Sequence, residues 1–218
     1  MNKVVVFGVL DTAELAHFYL THDSKYDVVA FTINQEYLKE KVFRGLQVVP
    51  FEEVEKFYSP TEYLFFAPMT GRKMNRNRER VYNEAKQKGY QFISYISSKA
   101  TIFPEAKIGD NCFILEDNTI QPFTTIGNNV VLWSGNHIGH HGRINDHVFF
   151  TSHVVMSGHC EIGSYSFFGV NATIRDFIKI AEGTLVAMSA SITKDTEAWG
   201  VYLGSPARKG PKFSYDTY

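Results

Sequence analysis

The sequence is poor in several things, and each shortage narrows the reading. Only two of its 218 residues are cysteine, Cys112 and Cys160. They lie far apart and form no metal-type pair, so a reducing, cytoplasmic setting is expected rather than a disulfide framework. Charge of either sign is not in excess: the net charge is -1, with 21% charged residues. That excludes a basic surface built to hold a nucleic-acid backbone. No apolar run approaches the length that spans a bilayer, and MNKVVVFG is too short and too strand-like for a secretion signal. Aromatic residues, by contrast, are plentiful, with 18 Phe and 12 Tyr. A bulky core is their plain use.

Residues 1–96 alternate strand-like and helix-like pieces. KVVVFG (3–8), YDVVAFT (26–32), LQVVPF, EYLFFAPM and YQFISYI read as five strands. TAELAHFYLTHD (12–23) reads as a helix capped by Asp11 or Thr12, FEEVEKFY as a helix stopping near Pro60, and MNRNRERVYNEAKQKG as a charged helix ended by Gly89. This alternation predicts a Rossmann-like parallel sheet with crossover helices. Ligands of such sheets lie beyond the carboxyl ends of the strands. Gly8, Asp11, Thr12, Thr32 and Asn34 fall there. GVLDTA has one glycine where a dinucleotide fingerprint needs G-x-G-x-x-G, so a dinucleotide site is rejected. What is left is a single phosphate group at the N-terminus of the 12–23 helix, or a domain without ligand.

From residue 97 the chain becomes a ruler. Written in sixes from Ala100, the third place of sixteen consecutive blocks is apolar, from Ile102, Ile108 and Ile114 to Val186 and Ile192. A six-residue period is the signature of a parallel β-helix with three blocks per turn, so residues 18 apart stack at roughly 4.8 Å. One inward column would be Ile102, Ile120, Ile138, Met156, Ile174 and Ile192, and Asn118 and Asn136 would form an inward amide ladder. The tail after the coil would cover one open end. The expected division is 1–96, an α/β domain; 97–204, the β-helix; and 205–218, a C-terminal tail.

Six of the eight histidines lie between His137 and His159. His141, His147, His153 and His159 each stand three places after an inward residue, near a corner and facing out. They fall on successive faces; His141 and His159 alone share an edge, with His140 beside it. Solvated or interface imidazoles, a metal site requiring ligands from two subunits, and a general base are the three readings.

The two-domain order, the uninterrupted coil and the VYLGSPAR element at 201–208 resemble the bacterial hexapeptide-repeat sugar acyltransferases of the NeuD/PglD type. The resemblance implies a left-handed β-helix and a cytoplasmic homotrimer with active sites between subunits. It also implies acetyl-CoA as acyl donor, no metal requirement, no membrane or nucleic-acid partner, and a role in bacterial surface glycan (lipopolysaccharide) biosynthesis. The acceptor implied is the amino group of a nucleotide-linked amino sugar, attacked by direct transfer; a sialic-acid-type O-acetyltransferase is the nearest alternative. A γ-carbonic-anhydrase-like zinc enzyme and a non-catalytic sugar-binding trimer are alternatives of another class.

In that family an apolar-x-His-acid element carries the base and the acid that orients it. Ile138-Gly139-His140-His141 falls on it, which makes His140 the base and puts His141 where an acid is usual. Asp146 or a neighbouring subunit's acid would then replace it. The family's cofactor positions fall on Phe149, Gly158, Val170 and Met188, with Gly158 N–H suited to an oxyanion and Arg208 and Lys209 to cofactor phosphates. Trp133 and Asn136 join the substrate-binding positions. Asn75 and Arg78, an N-x-x-R element, either contact the nucleotide or start a solvated helix. Cys160, at an inward place, reads as core rather than nucleophile.

Overall fold

The computed structural model describes residues 2–217. They form two compact units: one runs to Thr70 and resumes at Arg80–Tyr95, the other comprises Gly71–Glu79 and everything from Ile96 on.

The first unit is an α/β sheet. Its elements are β1 (Asn2–Phe7), α1 (Asp11–His22), β2 (Tyr26–Ile33), β3 (Val42–Phe43), β4 (Leu46–Pro50), the single turn α2 (Val54–Phe57), β5 (Leu64–Phe66) and most of α3 (Arg76–Gln87). The strand order is β3-β4-β2-β1-β5, parallel except for the β3–β4 hairpin. Val4, Val5 and Val6 are fully buried, as in a strand covered on both faces. Edge strand β3 escaped the sequence reading because it is two residues long. Arg44 and Gly45 both have positive φ (50° and 78°), the conformation of a tight hairpin turn.

Three expectations need correction here. Helix α1 starts at Asp11, with Leu10 as its N-cap and no side-chain cap, so Asp11 and Thr12 lie inside the first turn. Gly8, at φ 109°, donates its N–H to Thr32 O at 2.8 Å, and this brings the chain into the helix sooner than the pattern suggests. FEEVEKFY divides into a 3-10 turn, Phe51–Glu53, and α2. YQFISYI is no full fifth strand: Phe92 makes one bridge to Phe65, and Tyr95–Ile96 form a short strand of their own.

The second unit is a left-handed parallel β-helix. Sixteen two-residue strands recur every six residues from Thr101–Ile102 to Ser191–Ile192. They stack into three parallel ladders with an 18-residue register, such as Ile120 on Ile138 on Met156. The third-place residues are buried from Ile114 to Ile192; Ile102 and Ile108 in the first coil pack half-buried against the same core. The amide ladder is present inside: Asn136 Nδ2 donates to Asn118 Oδ1 at 3.0 Å, and Asn136 Oδ1 accepts from Val154 N at 2.8 Å.

The sixth place of each block is where the coil turns, and it turns through the left-handed region. Asn111, Asp117, Phe123, Asn129, His141, His147, His153, His159, Tyr165, Asn171 and Phe177 all have φ between 51° and 64°. Glycine stands at two of these places, Gly135 and Gly183. Asn, Asp and His are the non-glycine residues most often found there. Four of the clustered histidines are therefore corner residues, and this is the local reason they recur every six.

The tail closes the far end of the coil. Gly200–Leu203 continues the ladder in parallel from Leu185–Val186, and Arg208–Phe213 folds back antiparallel on it. Tyr202 joins the coil's core, with Ala207 packed against it.

Candidate active site

His140 stands at one edge of the coil, at the fifth place of its block. Its ring lies over Gly158, one coil on: a Cβ added to Gly158 would sit 2.7 Å from the ring's Cε1 and 2.8 Å from its Nε2. Only glycine leaves that seat open. His140 N donates to Gln121 Oε1 at 2.9 Å, and His140 O accepts from His159 N at 2.9 Å, so the backbone is held from both neighbouring coils. His140 Nδ1 is 3.1 Å from His141 Nδ1. His141 is itself clamped in an outer stack on that edge. Its ring is 4.7 Å from Phe123 and 4.9 Å from His159, and His159 is 4.7 Å from Phe177.

The ligand nitrogens of His140, His141 and His159 all lie within 4.8 Å of one another. The expectation that three histidines meet only across two subunits is corrected by this. The pattern put His140 beside the His141–His159 edge but did not show that the three rings approach this closely within one chain. Asp146 does not reach His140. It belongs to another corner, where its Oδ1 accepts from Asn128 N at 2.6 Å.

The second edge carries His147, Tyr165 and Trp199, and residues 71–79 cover it. Arg78 is fully buried, donating from Nη2 to His147 O at 3.0 Å, Val148 O at 3.1 Å and Asn75 Oδ1 at 3.2 Å. Asn75 Nδ2 donates to Tyr165 O at 2.9 Å. Burial pushes the Arg78 guanidinium down to about 9, so it stays charged at neutral pH. Asn75 and Arg78 thus bind the coil's own carbonyls, neither a nucleotide nor solvent, because the chain turns their element inward onto the coil. Phe149 is buried here too, beneath Arg78 and stacked on Phe167 at 5.3 Å.

Val170 and Met188, 18 residues apart, are exposed on the third edge, Met188 to 74%. Trp133, half-buried, belongs to the same edge; its carbonyl accepts from Asn118 and Asn136. Asn136 points inward and is occupied by the ladder. Arg208 is exposed, and Lys209 is paired with Glu197. Within one chain, the structure brings His140, His141 and Gly158 together and leaves Val170 and Met188 on a different edge.

In the first unit, Thr32 Oγ1 donates to Val49 O at 2.9 Å, and Asn34 lies between Glu52 Oε1 and Arg80, each at 3.0 Å. Gly8, Asp11 and Thr12 flank the start of α1. A concavity of about 810 Å³ in this unit lies instead at the amino ends of β1 and β5, lined by Lys3, Pro60 and Tyr63 among others.

Cys160 is buried, and burial pushes its thiol up, which makes it a poor nucleophile. No helix among the described residues is long and apolar enough to cross a membrane. Sequence reasoning missed Gln121, Phe123 and Phe177. The signal was the same 18-residue spacing that paired His141 with His159: 123, 141, 159 and 177 form one column, and 121 lies one coil before 139.

The bacterial transferase hexapeptide (six repeats) family matches residues 105–140. No curated protein matches by sequence. Among solved structures, a histidine variant of perosamine N-acetyltransferase from Caulobacter crescentus, with CoA and GDP-perosamine, superposes with a TM-score of 0.86 at 18% identity, over 97% of this chain and 98% of that one. The acetyltransferase domain of PglB from Neisseria gonorrhoeae, with acetyl coenzyme A, gives 0.85 at 19% identity, over 95% and 98%. WeeI from Acinetobacter baumannii gives 0.80 at 19%, over 96% and 100%. The chain therefore shares, over nearly its whole length, the fold of hexapeptide-repeat sugar N-acetyltransferases.

Proposed function

We propose that this protein is an acetyl-CoA-dependent N-acetyltransferase acting on the amino group of a nucleotide-linked amino sugar, with His140 as general base. The observation that carries the reading is the His140 seat. An exposed imidazole lies over a glycine, with its backbone held by Gln121 and its Nδ1 engaged by His141. The substrate class is supported by the likeness to a perosamine N-acetyltransferase bound to CoA and GDP-perosamine.

The two facing Nδ1 atoms, 3.1 Å apart, allow two tautomer pairs. One must carry the proton and the other a lone pair. With the proton on His140 Nδ1, donated to His141, the lone pair of His140 is at Nε2 and faces the reaction. A neutral sugar amine attacks the thioester carbonyl, the C–N bond forms, and Nε2 accepts the ammonium proton as the C–S bond breaks. The thiolate of CoA then takes that proton or one from solvent. His141 accepts the Nδ1–H throughout, which is the orienting task an acid performs elsewhere. The backbone N–H of Gly158 is the proposed donor to the carbonyl oxygen.

The edges imply an assembly. Val170 and Met188 offer apolar surface for the pantetheine arm, and they reach His140 only when a second copy places its third edge against this one. A homotrimer of coils closes three such clefts. Phosphates of the nucleotide are assigned to the uncapped first turn of α1, with Gly8 and Thr12 beside it. The product serves surface glycan synthesis in the cytoplasm in this reading.

The test is turnover of acetyl-CoA with GDP-, UDP- and dTDP-linked amino sugars by wild type and His140→Asn. General-base catalysis is typically worth about 10²–10⁴ in rate. A loss of kcat of at least about a hundredfold in the variant, with an unchanged melting point, is expected. A fully active His140→Asn protein would remove the base assignment.

A further inference from the structure

The cluster at the first edge has a property that acyl transfer does not need. Three imidazoles with ring nitrogens within 4.8 Å of one another come from one chain and are solvent-exposed. Two imidazole nitrogens bound to one tetrahedral cation at about 2.0–2.1 Å stand roughly 3.3 Å apart. The Nδ1 atoms of His140 and His141 are 3.1 Å apart. The third ring, His159, is 5.1 Å from His140 at 87° and 4.9 Å from His141 at 11°. The backbone under the rings is held in place before any ion arrives, and the near-parallel His141 and His159 rings turn about their side-chain torsions to aim both lone pairs at one ion. Phe123 and Phe177 clamp the stack from its two ends, His159 N is bonded to His140 O, and His141 N is bonded to Pro122 O.

We propose that His140, His141 and His159 form a binding site for a divalent transition cation that silences the base. An all-imidazole donor set suits Zn²⁺, Cu²⁺ or Ni²⁺ and not the oxygen-seeking Mg²⁺ or Ca²⁺. Three protein ligands leave a further position for water. The consequence for chemistry follows from the tautomer. A cation on His140 Nδ1 displaces the proton shared with His141, and a neutral imidazole bound through Nδ1 carries its proton on Nε2. Nε2 then has no lone pair to accept the proton of the amine. Occupied, the site inhibits; empty, the His140–His141 bond reforms. The inhibitory half rests on His140 being the base, while the binding half does not.

The probe is zinc chloride, titrated calorimetrically at pH 7.5 into the chelator-treated full-length protein. About one ion per chain is expected from a single three-ligand site. His159→Phe is the informative variant: it keeps an aromatic ring between His141 and Phe177 and removes one donor. Zinc affinity should fall by at least about tenfold in it, since one ligand of three is lost. The acetyl transfer it retains should resist zinc. His153→Ala, a corner histidine on another edge, should bind as wild type does. Absence of saturable binding, or equal affinity in His159→Phe, overturns the site. Zinc bound with turnover unaltered overturns its coupling to His140. Should the chain fail to acetylate any amino sugar, calorimetry still reads the site, so the two proposals fail separately.

Discussion

At the scale of single residues, the chemistry depends on a histidine that is seated rather than merely present. His140 rests on the bare backbone of Gly158, and Gly158 is therefore needed for the ring's place as well as for its own N–H. In Gly158→Ala the new Cβ would meet the ring at 2.7–2.8 Å. The ring is the mobile partner, so it swings away and the coil keeps its path. A displacement of about 1 Å at a reacting group costs up to about a hundredfold in rate. Steady-state kinetics should show kcat reduced about tenfold to a hundredfold, with the melting point within a few degrees of wild type. A variant with wild-type kcat would mean the seat does not position the base. The sequence made His140 legible through Ile138-Gly139-His140-His141, and the spacing of 18 made the His141–His159 stack legible. Arg78 was not legible. An arginine in a charged helix start reads as solvated, and nothing local signals that the carbonyls of residues 147 and 148 enclose it.

At the scale of elements, a two-residue strand has almost no propensity signal, and the coil was legible only because the same slot repeats sixteen times. The short pieces of the first unit had no such repetition. Hence β3 was missed, and YQFISYI was read as a fifth strand of that sheet, where it makes one bridge, Phe92 to Phe65. What fixes the coil's register beyond apolar stacking is the inner ladder. Asn136 satisfies Asn118 Oδ1, Val154 N and Trp133 O together. An apolar replacement leaves the Val154 N–H and the Asn118 carbonyl oxygen without these partners inside a dry core. Each buried group so stranded costs about 1–3 kcal/mol. Asn136→Ala is therefore expected to destabilise the protein by about 2–5 kcal/mol in chemical denaturation. A loss below about 0.5 kcal/mol, the range of surface substitutions, would show that the ladder holds nothing.

At the scale of the whole molecule, the three edges of one coil have three different surroundings. The first presents the His140 cluster, the third presents exposed Val170 and Met188, and the second is closed by residues 71–79. That closed edge gives folding a pH dependence. Burial, with the Arg78 charge adding to it, pushes the His147 imidazole below its ordinary value. His17 in the first unit is lowered as well, by burial and then by His22. A lowered imidazole is neutral in the folded chain while the unfolded chain still takes up a proton near pH 6.5. The stabilisation is thus whole above about pH 6.5 and drains away as pH falls through the folded value. Melting temperatures measured from pH 7.5 down to 5.5, above the range where carboxylates titrate, should decline. In His147→Asn the corner keeps a residue tolerant of positive φ, in line with Asn111 and Asn129, and loses its titrating ring. The decline should be shallower there, with the remainder left to His17. If the variant's melting curve falls as steeply as wild type's, the charge-sensitive group is not at the second edge.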